Sequence, residues 1–539
     1  MRDKVQSIGK GFAILSIANI SVKLLSLLFV PIMRNLLGGS AGYGVFGAAN
    51  EVFAFIYVIA TAGMPVAISK LVSELTATGN KKMSQNLFKF MRFLLIIIGL
   101  VLTLFMMIFS KQIAGFVEMP ESWLGIMFLA PTVFFCSILS AYRGYFQGIR
   151  NMMPTAISQV FEQIVHVVIS IAMVILFRSW GIIWAVAAAS LGTTIGSFVA
   201  LLIMVKYHKI HVHAERRQKR AFIKPTKRYT SKELINKIIF YSIPITLSSG
   251  IMYAGNMIDI MILKKRLDVA GLSQVSNALY GDLLATRQLI NVPNSMITSL
   301  CISILPAVAA AYILKNGKET SEKADYGFKL CYLVAFPAAT LLSAFAKPVY
   351  QFLGFGSNYS LLMVLAFSLL LLGTMQLQSA ILQSVNSLFT TTMFLAMSVI
   401  IKAILNYILI AIPSINVYGA IISTYLSYLV PLILNQYVLT KHKNLDISLI
   451  RNAWRPALCS ALMLVFAVPT YYILYIFTSK FMGGYLSNAF SFIITGLIGG
   501  AAYVFSMAKT GGLLKEDLDS ISPAICRKLP NKIVNILWN

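Results

Sequence analysis

Apolar segments of about twenty residues recur along almost the whole chain, and short polar connections separate them. A helix of about 20 apolar residues is long enough to cross the hydrocarbon core of a bilayer. The pattern predicts an all-α polytopic membrane protein with about 14 transmembrane helices, over residues 11–33, 43–66, 91–110, 122–142, 155–177, 182–205, 238–263, 277–313, 326–346, 359–384, 390–412, 417–440, 456–477 and 486–508. The segment 277–313 is overlong, which leaves open a surface helix followed by a span.

The composition agrees with a chain that lies mostly in lipid. Hydrophobic residues make up 58% of the 539 residues and charged residues only 12%, whereas soluble domains carry about 25% charged residues. The net charge is +27, and most of the 45 Lys and Arg residues fall in every second connection. Positive connections stay in the cytoplasm, so both termini are predicted to be cytoplasmic. Membrane lipids, and not nucleic acid, are the expected contacts of this basic surface. The cluster Lys264-Lys265-Arg266, on the predicted outer side, is the one exception to this distribution.

Polar positions in the first half of the chain recur in the second half. A polar face of the first span (Ser16, Asn19, Lys23, Ser26) has the same spacing as one in the seventh span, and Tyr43-Gly44 recurs as Tyr280-Gly281. The repeat predicts two parallel six-helix bundles followed by two C-terminal helices. The predicted domains are 1–206 and 238–443 for the two bundles, 207–237 for a flexible basic cytoplasmic linker, 444–510 for the two extra helices and 511–539 for a cytoplasmic tail.

Six charged residues fall inside the predicted spans: Lys23, Glu51, Glu162, Asp259, Arg287 and Lys402. A charge at the bilayer centre costs roughly 2.5–3.5 kcal/mol on insertion scales, so intramembrane charges mark polar pathways or pairs. The first two spans are joined by a short loop, which favours an approach of Lys23 to Glu51. Glu162 and Lys402 occupy equivalent places in the repeat, which suggests a salt bridge between them, either static or broken during transport.

These charges define two groups of candidate functional residues. Lys23 and Arg287, with Asn19 and Asn256, are candidate substrate-binding residues for an anionic cargo, because an Arg fork matches phosphate oxygens. Candidate coupling or gating residues are Glu51, Asp259, Glu162 and Lys402. Asp282 is interpreted either as a cation-coupling residue or as an exposed helix cap. His166 is more typical of a satisfied core histidine than of a proton relay.

The chain offers little sign of a metal or a catalytic centre. The five cysteines have no paired spacing, and His208, His211 and His213 lie in the basic stretch that is interpreted as a linker. No nucleotide-binding glycine-rich loop is present. We expect no cofactor and no metal, and we expect a transporter rather than an enzyme.

Two segments resemble a known family. Gly63-Met64-Pro65-Val66-Ala67-Ile68-Ser69-Lys70 closes the second span, and Tyr142-Arg143-Gly144-Tyr145-Phe146-Gln147-Gly148 with Met153-Pro154-Thr155-Ala156 bridges the fourth and fifth. These segments are similar to the stage V sporulation protein B family of polysaccharide-biosynthesis membrane proteins. That family belongs to the multidrug/oligosaccharidyl-lipid/polysaccharide exporter superfamily and is related to the peptidoglycan lipid II flippases. The resemblance runs over residues 8 to 510.

The resemblance implies a function and assigns roles by position. In lipid II flippases, cations in spans one, two and eight line a cavity for the diphosphate-sugar headgroup. Lys23 and Arg287 stand at two of these positions, while Tyr57 stands near the third. The implied function is the translocation of an undecaprenyl-diphosphate-linked cell-wall precursor, lipid II or a relative, across the bacterial cytoplasmic membrane. A cation-coupled exporter of drugs or small molecules is the alternative, and a coupling cation, Na⁺ or H⁺, is left open.

Overall fold

The computed structural model describes residues 8–77, 79–217, 231–385 and 387–514, and these residues are helical with short connections. The described α-helices are α1 (Ile8–Leu36), α2 (Ser40–Thr61), α3 (Met64–Ala77), α4 (Lys81–Ile108), α5 (Ser110–Phe116), α6 (Trp123–Gly148), α7 (Met153–Phe177), α8 (Ile182–Arg217), α9 (Ser231–Val269), α10 (Ser276–Ile313), α11 (Gly317–Ala344), α12 (Ala346–Leu353), α13 (Ser360–Leu365), α14 (Ser368–Ser384), α15 (Leu388–Leu409), α16 (Tyr418–Tyr437), α17 (Leu449–Thr478) and α18 (Gly484–Lys509). Short turns of 3₁₀ helix lie at Pro120–Ser122, Arg178–Trp180 and Ser273–Val275, and a π turn lies at Val438–His442.

The helices confirm the predicted all-α membrane fold. Among the described residues, 13 helical segments are long and apolar enough to cross a bilayer, with α2 and α3 forming one of them and α13 and α14 another. The overlong segment 277–313 lies within one continuous helix, α10, of 38 residues. Pro293 lies inside α10 without ending it, which neighbouring groups in a membrane helix tolerate.

Helices continue into both ends of the predicted basic linker. Helix α8 continues to Arg217 and helix α9 begins at Ser231, so both ends of the predicted segment 207–237 are helical. His208 packs within an aromatic group, with ring centroids 4.5 Å from Phe88 and 5.4 Å from Tyr145. These contacts explain why α8 does not end with the apolar span. Residues 218–230, and residues 515–539 of the predicted tail, lie outside the described residues.

Packing divides the chain into two compact units, one within residues 1–285 and 392–427 and the other within 286–391 and 428–539. The first unit has a core where α3, α4, α6 and α8 meet, including Leu71, Phe88, Leu139, Tyr145 and Met204. A smaller core in the second unit lies between α17 and α18 and contains Cys459, Met463, Tyr503 and Met507. Because the units follow packing and the predicted domains follow the sequence repeat, the domain boundaries stay a prediction.

Gly44 and Gly281, which the predicted repeat equates, pack against each other in the first unit. A Cβ atom on Gly281 would lie 3.0 Å from the backbone nitrogen of Gly44, and one on Gly44 would lie 3.2 Å from that of Gly281. Only glycine permits so close an approach of α2 and α10. Such a mutual contact is what a two-fold relation between repeats would produce.

Candidate functional site

Asp259 on α9 is the most deeply buried charge of the described residues, and its partner is Lys402 on α15. The Lys402 Nζ atom lies 2.7 Å from Asp259 Oδ2 and also donates to the carbonyl oxygen of Gly255 at 3.3 Å. Asn406, one turn after Lys402, donates from Nδ2 to Asp259 Oδ1 at 2.6 Å. Asp259 is 0% and Lys402 is 6% exposed. The pair therefore joins α9 to α15 inside the first unit.

The spacing of these residues explains how the pair forms. Lys402 and Asn406 are four residues apart, so one face of α15 presents an ammonium and an amide together. Gly255 and Asp259 have the same spacing on α9 and present a carbonyl and a carboxylate. Two buried charges offset their lost hydration only when the geometry is good and further hydrogen bonds satisfy them. Both carboxylate oxygens of Asp259 meet this condition.

A second ion pair joins α6 to α7. Arg143 Nη2 lies 2.6 Å from Glu162 Oε2, and the same guanidinium donates to Ser158 Oγ at 3.3 Å. The predicted salt bridge between Glu162 and Lys402 is therefore wrong, because each of them has its partner on another helix. The sequence repeat places both residues at equivalent points but carries no information about which neighbouring helix supplies the opposite charge.

A third pair corrects the interpretation of Asp282 as an exposed cap. Asp282 is 4% and Arg34 is 6% exposed, and Arg34 Nη2 lies 2.5 Å from Asp282 Oδ1. Ser40 donates to the same carboxylate oxygen at 2.6 Å and accepts a hydrogen bond from Arg34. Sequence reasoning missed Arg34 because it follows the apolar run and was assigned to a connection, whereas α1 continues to Leu36.

Lys23 differs from these paired charges. It lies in the middle of α1 with an exposed side chain, as does Asn19 one turn earlier. Within the described residues, no ion pair joins Lys23 to Glu51, so the structure does not form the contact that we expected. Glu51 is half-buried on α2.

The remaining candidates occupy separate places. Asn256 is half-buried on α9 in the first unit, and Arg287 is half-buried on α10 in the second. His166 packs on Phe29 with ring centroids 4.9 Å apart, but its buried Nε2 atom has no hydrogen-bond partner among the described residues, so it is not the satisfied core histidine that we expected. In the described part of the chain, no group of three or more His, Cys, Asp or Glu residues is arranged to hold a metal ion.

The basic cluster on the predicted outer side has local partners. Lys265 lies 3.0 Å from Glu118, and the Arg266 guanidinium lies 4.0 Å from the Tyr407 ring centroid and donates to the Tyr407 carbonyl. Both basic residues also lie at the C-terminal end of α9, where cations interact favourably with the helix dipole. These contacts explain a charge cluster that does not follow the distribution of the other basic residues.

Taken together, the apolar helices and the buried charge pairs among them describe a multi-pass membrane protein. A family model described as polysaccharide biosynthesis protein matches residues 8–312. The chain belongs to this family.

Two relatives are similar to this chain over most of its length. The chain is 23% identical over 533 residues to the lipid II flippase MurJ of Bacillus subtilis (strain 168), covering 94% of this chain and 96% of the relative. It is 26% identical over 426 residues to the stage V sporulation protein B of the same organism, covering 77% and 80%. The resemblance noted in the sequence is thus confirmed.

Two solved structures show the same fold. The lipid II flippase MurJ in an inward closed conformation matches with a TM-score of 0.66 at 15% identity, covering 92% of this chain and 98% of that one. An inward-facing multidrug resistance MATE family transporter of the MOP superfamily matches with a TM-score of 0.64 at 16% identity, covering 80% and 99%. At these identities the likeness describes the fold alone.

Proposed function

We propose that the protein is a flippase that translocates an undecaprenyl-diphosphate-linked saccharide, lipid II or a related cell-wall precursor, across the bacterial cytoplasmic membrane. Its relatives over most of the chain are a lipid II flippase and a sporulation protein. The proposed cycle is alternating access, in which a polar headgroup crosses at a midplane site while the lipid tail stays in the bilayer. The distribution of Lys and Arg supports a cytoplasmic location for both termini.

The observation that carries this proposal is the state of Lys23. Three other cations of the first unit's membrane helices, Arg34, Arg143 and Lys402, each have a carboxylate partner. Lys23 has no ion-pair partner among the described residues. An ammonium in the middle of a membrane helix requires compensation, and an anionic headgroup provides it during transport.

The position of Lys23 on α1 supports a polar environment. At 100° per residue, Lys23 shares a side of the helix with Asn19 and Ser26, whereas the exposed apolar residues Ile17 and Leu28 lie on another side. Ionisable residues within membrane helices almost always face the protein interior or a water-filled cavity. We therefore assign Lys23 and Asn19 to cargo binding, with Asn256 and Arg287 as further candidates and Glu51 as a candidate for coupling to a cation or to membrane potential.

The test is an assay for outer-leaflet lipid II in cells whose resident lipid II flippases are depleted. The wild-type protein is expected to restore outer-leaflet lipid II, and Lys23→Ala is expected to lose at least tenfold, because a charge-assisted hydrogen bond contributes about 1.5–3 kcal/mol. Lys23→Arg keeps the positive charge and should retain most of the activity.

A matched lysine controls for general effects of charge removal. Lys89 on α4 is also exposed, and Lys89→Ala should transport like the wild type at equal membrane abundance. No rescue by abundant wild-type protein would refute lipid II as the cargo, and a lower accumulation of drugs in cells that express the protein would then favour the exporter alternative.

A further inference from the structure

The surroundings of the Lys402 ammonium are rich in oxygen atoms. The Lys402 ammonium donates to Asp259 Oδ2 and to the backbone carbonyl of Gly255. Asn406 Nδ2 donates to the second carboxylate oxygen, Asp259 Oδ1, and so holds the carboxylate in place. Helices α9 and α15 thus bring a carboxylate oxygen and a carbonyl oxygen together around one buried cation.

Oxygen ligands of this kind suit hard cations. A buried carboxylate requires a positive counter-charge, because an isolated ionised carboxylate in an apolar interior is strongly unfavourable. The Lys ammonium is a compact point charge with three donors, so it is chemically close to a small monovalent cation held by oxygen atoms. Here the ammonium is supplied by Lys402 through a four-carbon chain from the neighbouring helix.

We propose that Gly255 and Asp259, with Asn406 positioning the Asp259 carboxylate, form a monovalent-cation site that the chain fills with its own Lys402 ammonium. Free Na⁺ or K⁺ is therefore excluded from Asp259 in the wild-type protein. Asp259, which the sequence offered as a coupling residue, then holds a fixed internal cation and does not bind a transported one. This inference concerns binding at Asp259 and stands independently of the cargo proposed above.

The geometry predicts that the protein gains the ability to bind a free cation when the Lys402 side chain is removed. Lys402→Ala deletes the ammonium and leaves both the space and the oxygen atoms, so the site becomes available to a free cation. Lys402→Met removes the charge but keeps most of the volume, so it leaves no space for one. Lys402→Ala combined with Asp259→Asn keeps the space but removes the anionic ligand.

The experiment measures the apparent melting temperature of the purified full-length protein in detergent. Titrations with NaCl and with KCl are compared with N-methyl-D-glucamine chloride at equal ionic strength. Wild type is expected to respond equally to all three salts. Lys402→Ala is expected to be stabilised by Na⁺ or K⁺ in a saturable manner, on the order of a few degrees, and both control variants are expected to lose this response.

Two results would overturn the proposal. The first is a Na⁺-specific or K⁺-specific stabilisation of the wild type that Asp259→Asn abolishes, since this would show a free cation at Asp259 beside Lys402. The second is a folded Lys402→Ala variant that does not distinguish Na⁺ and K⁺ from N-methyl-D-glucamine. If Lys402→Ala does not fold, Lys402→Ser takes its place in the series, and the wild-type titration tests the exclusion of free cations by itself.

Discussion

Glu162 on α7 and Lys402 on α15 occupy equivalent places in the predicted repeat, yet they carry opposite charges and pair differently. Glu162 binds Arg143 of the adjacent α6, and the two side chains are 25% and 14% exposed. Lys402 reaches Asp259 on α9, far away in the sequence, and the two side chains are 8% and 0% exposed. One pair therefore links neighbouring helices of the first half, and the other fastens α15 to α9.

The two halves share the position of this ionisable residue but not the sign of its charge. Each half places one ionisable residue at the same point of its predicted fifth span, but the sign of the charge follows the helix that packs against it. The burial also differs, so the two pairs should differ in energetic weight. A buried pair is weak evidence for net stability, whereas removing one partner leaves an uncompensated charge. Single substitutions and double-mutant cycles should therefore separate the two pairs.

The largest effect is expected at Asp259 and Lys402. Asp259→Asn leaves the Lys402 ammonium buried without its carboxylate, and breaking a buried pair in this way costs about 3–5 kcal/mol. The apparent melting temperature and the yield of folded protein in detergent measure the effect. Combining Asp259→Asn with Lys402→Met should recover a large part of the loss, because neither charge then remains. If the loss of stability in the double variant equals the sum of the losses in the two single variants, the two side chains are not energetically coupled.

A smaller effect is expected at Arg143 and Glu162. Glu162→Gln removes the charge from a pair that is only partly buried, so we expect a loss of about 1–3 kcal/mol, between the values for surface and buried pairs. The same melting measurement applies. Arg143→Met should cost more than Glu162→Gln, because Arg143 also donates to Ser158. Equal losses at this pair and at Asp259–Lys402 would mean that burial does not distinguish them.

The smallest effect is expected at the partly exposed ion pair of Glu74 and Lys237 in the first unit. Lys237 on α9 lies 2.8 Å from Glu74 on α3, and the two side chains are 30% and 33% exposed. Exposed pairs contribute about 0–1 kcal/mol, so Glu74→Gln should shift the melting temperature by a degree or two at most. High salt should weaken this pair and leave the two buried pairs almost unchanged. A strong effect at Glu74 would reverse the order of the three pairs.

The sequence was sufficient to predict the fold class. Apolar runs identify membrane spans directly. A helix in lipid must make its backbone hydrogen bonds internally and present apolar side chains to the lipid. The boundaries were less predictable where polar residues continue a helix. Helix α1 extends to include Arg34, α8 continues through His208 to Arg217, and α10 passes through Pro293. Contacts of these residues with other helices, which the sequence does not display, decide where each helix ends.

The candidate site could be predicted only in part. Asp259 and Lys402 were identified as intramembrane charges, but their pairing with each other depends on the packing of α9 against α15. The same limitation applies to Asp282, since its partner Arg34 is far away in the sequence. Lys23 is the reverse case, because the expected partner Glu51 lies on the next helix and no ion pair between them forms. The sequence shows which residues place a charge in a membrane helix. Which residue of opposite charge lies beside it depends on how the helices pack.

We propose that the paired intramembrane charges are structural and that Lys23 binds the cargo. The most direct test compares two variants in the outer-leaflet lipid II assay, with activity expressed per amount of folded protein. We predict that Lys23→Ala loses transport with an unchanged melting temperature. We predict that the Asp259→Asn, Lys402→Met double variant retains transport despite a lower melting temperature. Normal transport by Lys23→Ala, together with loss of transport in a folded double variant, would contradict the account.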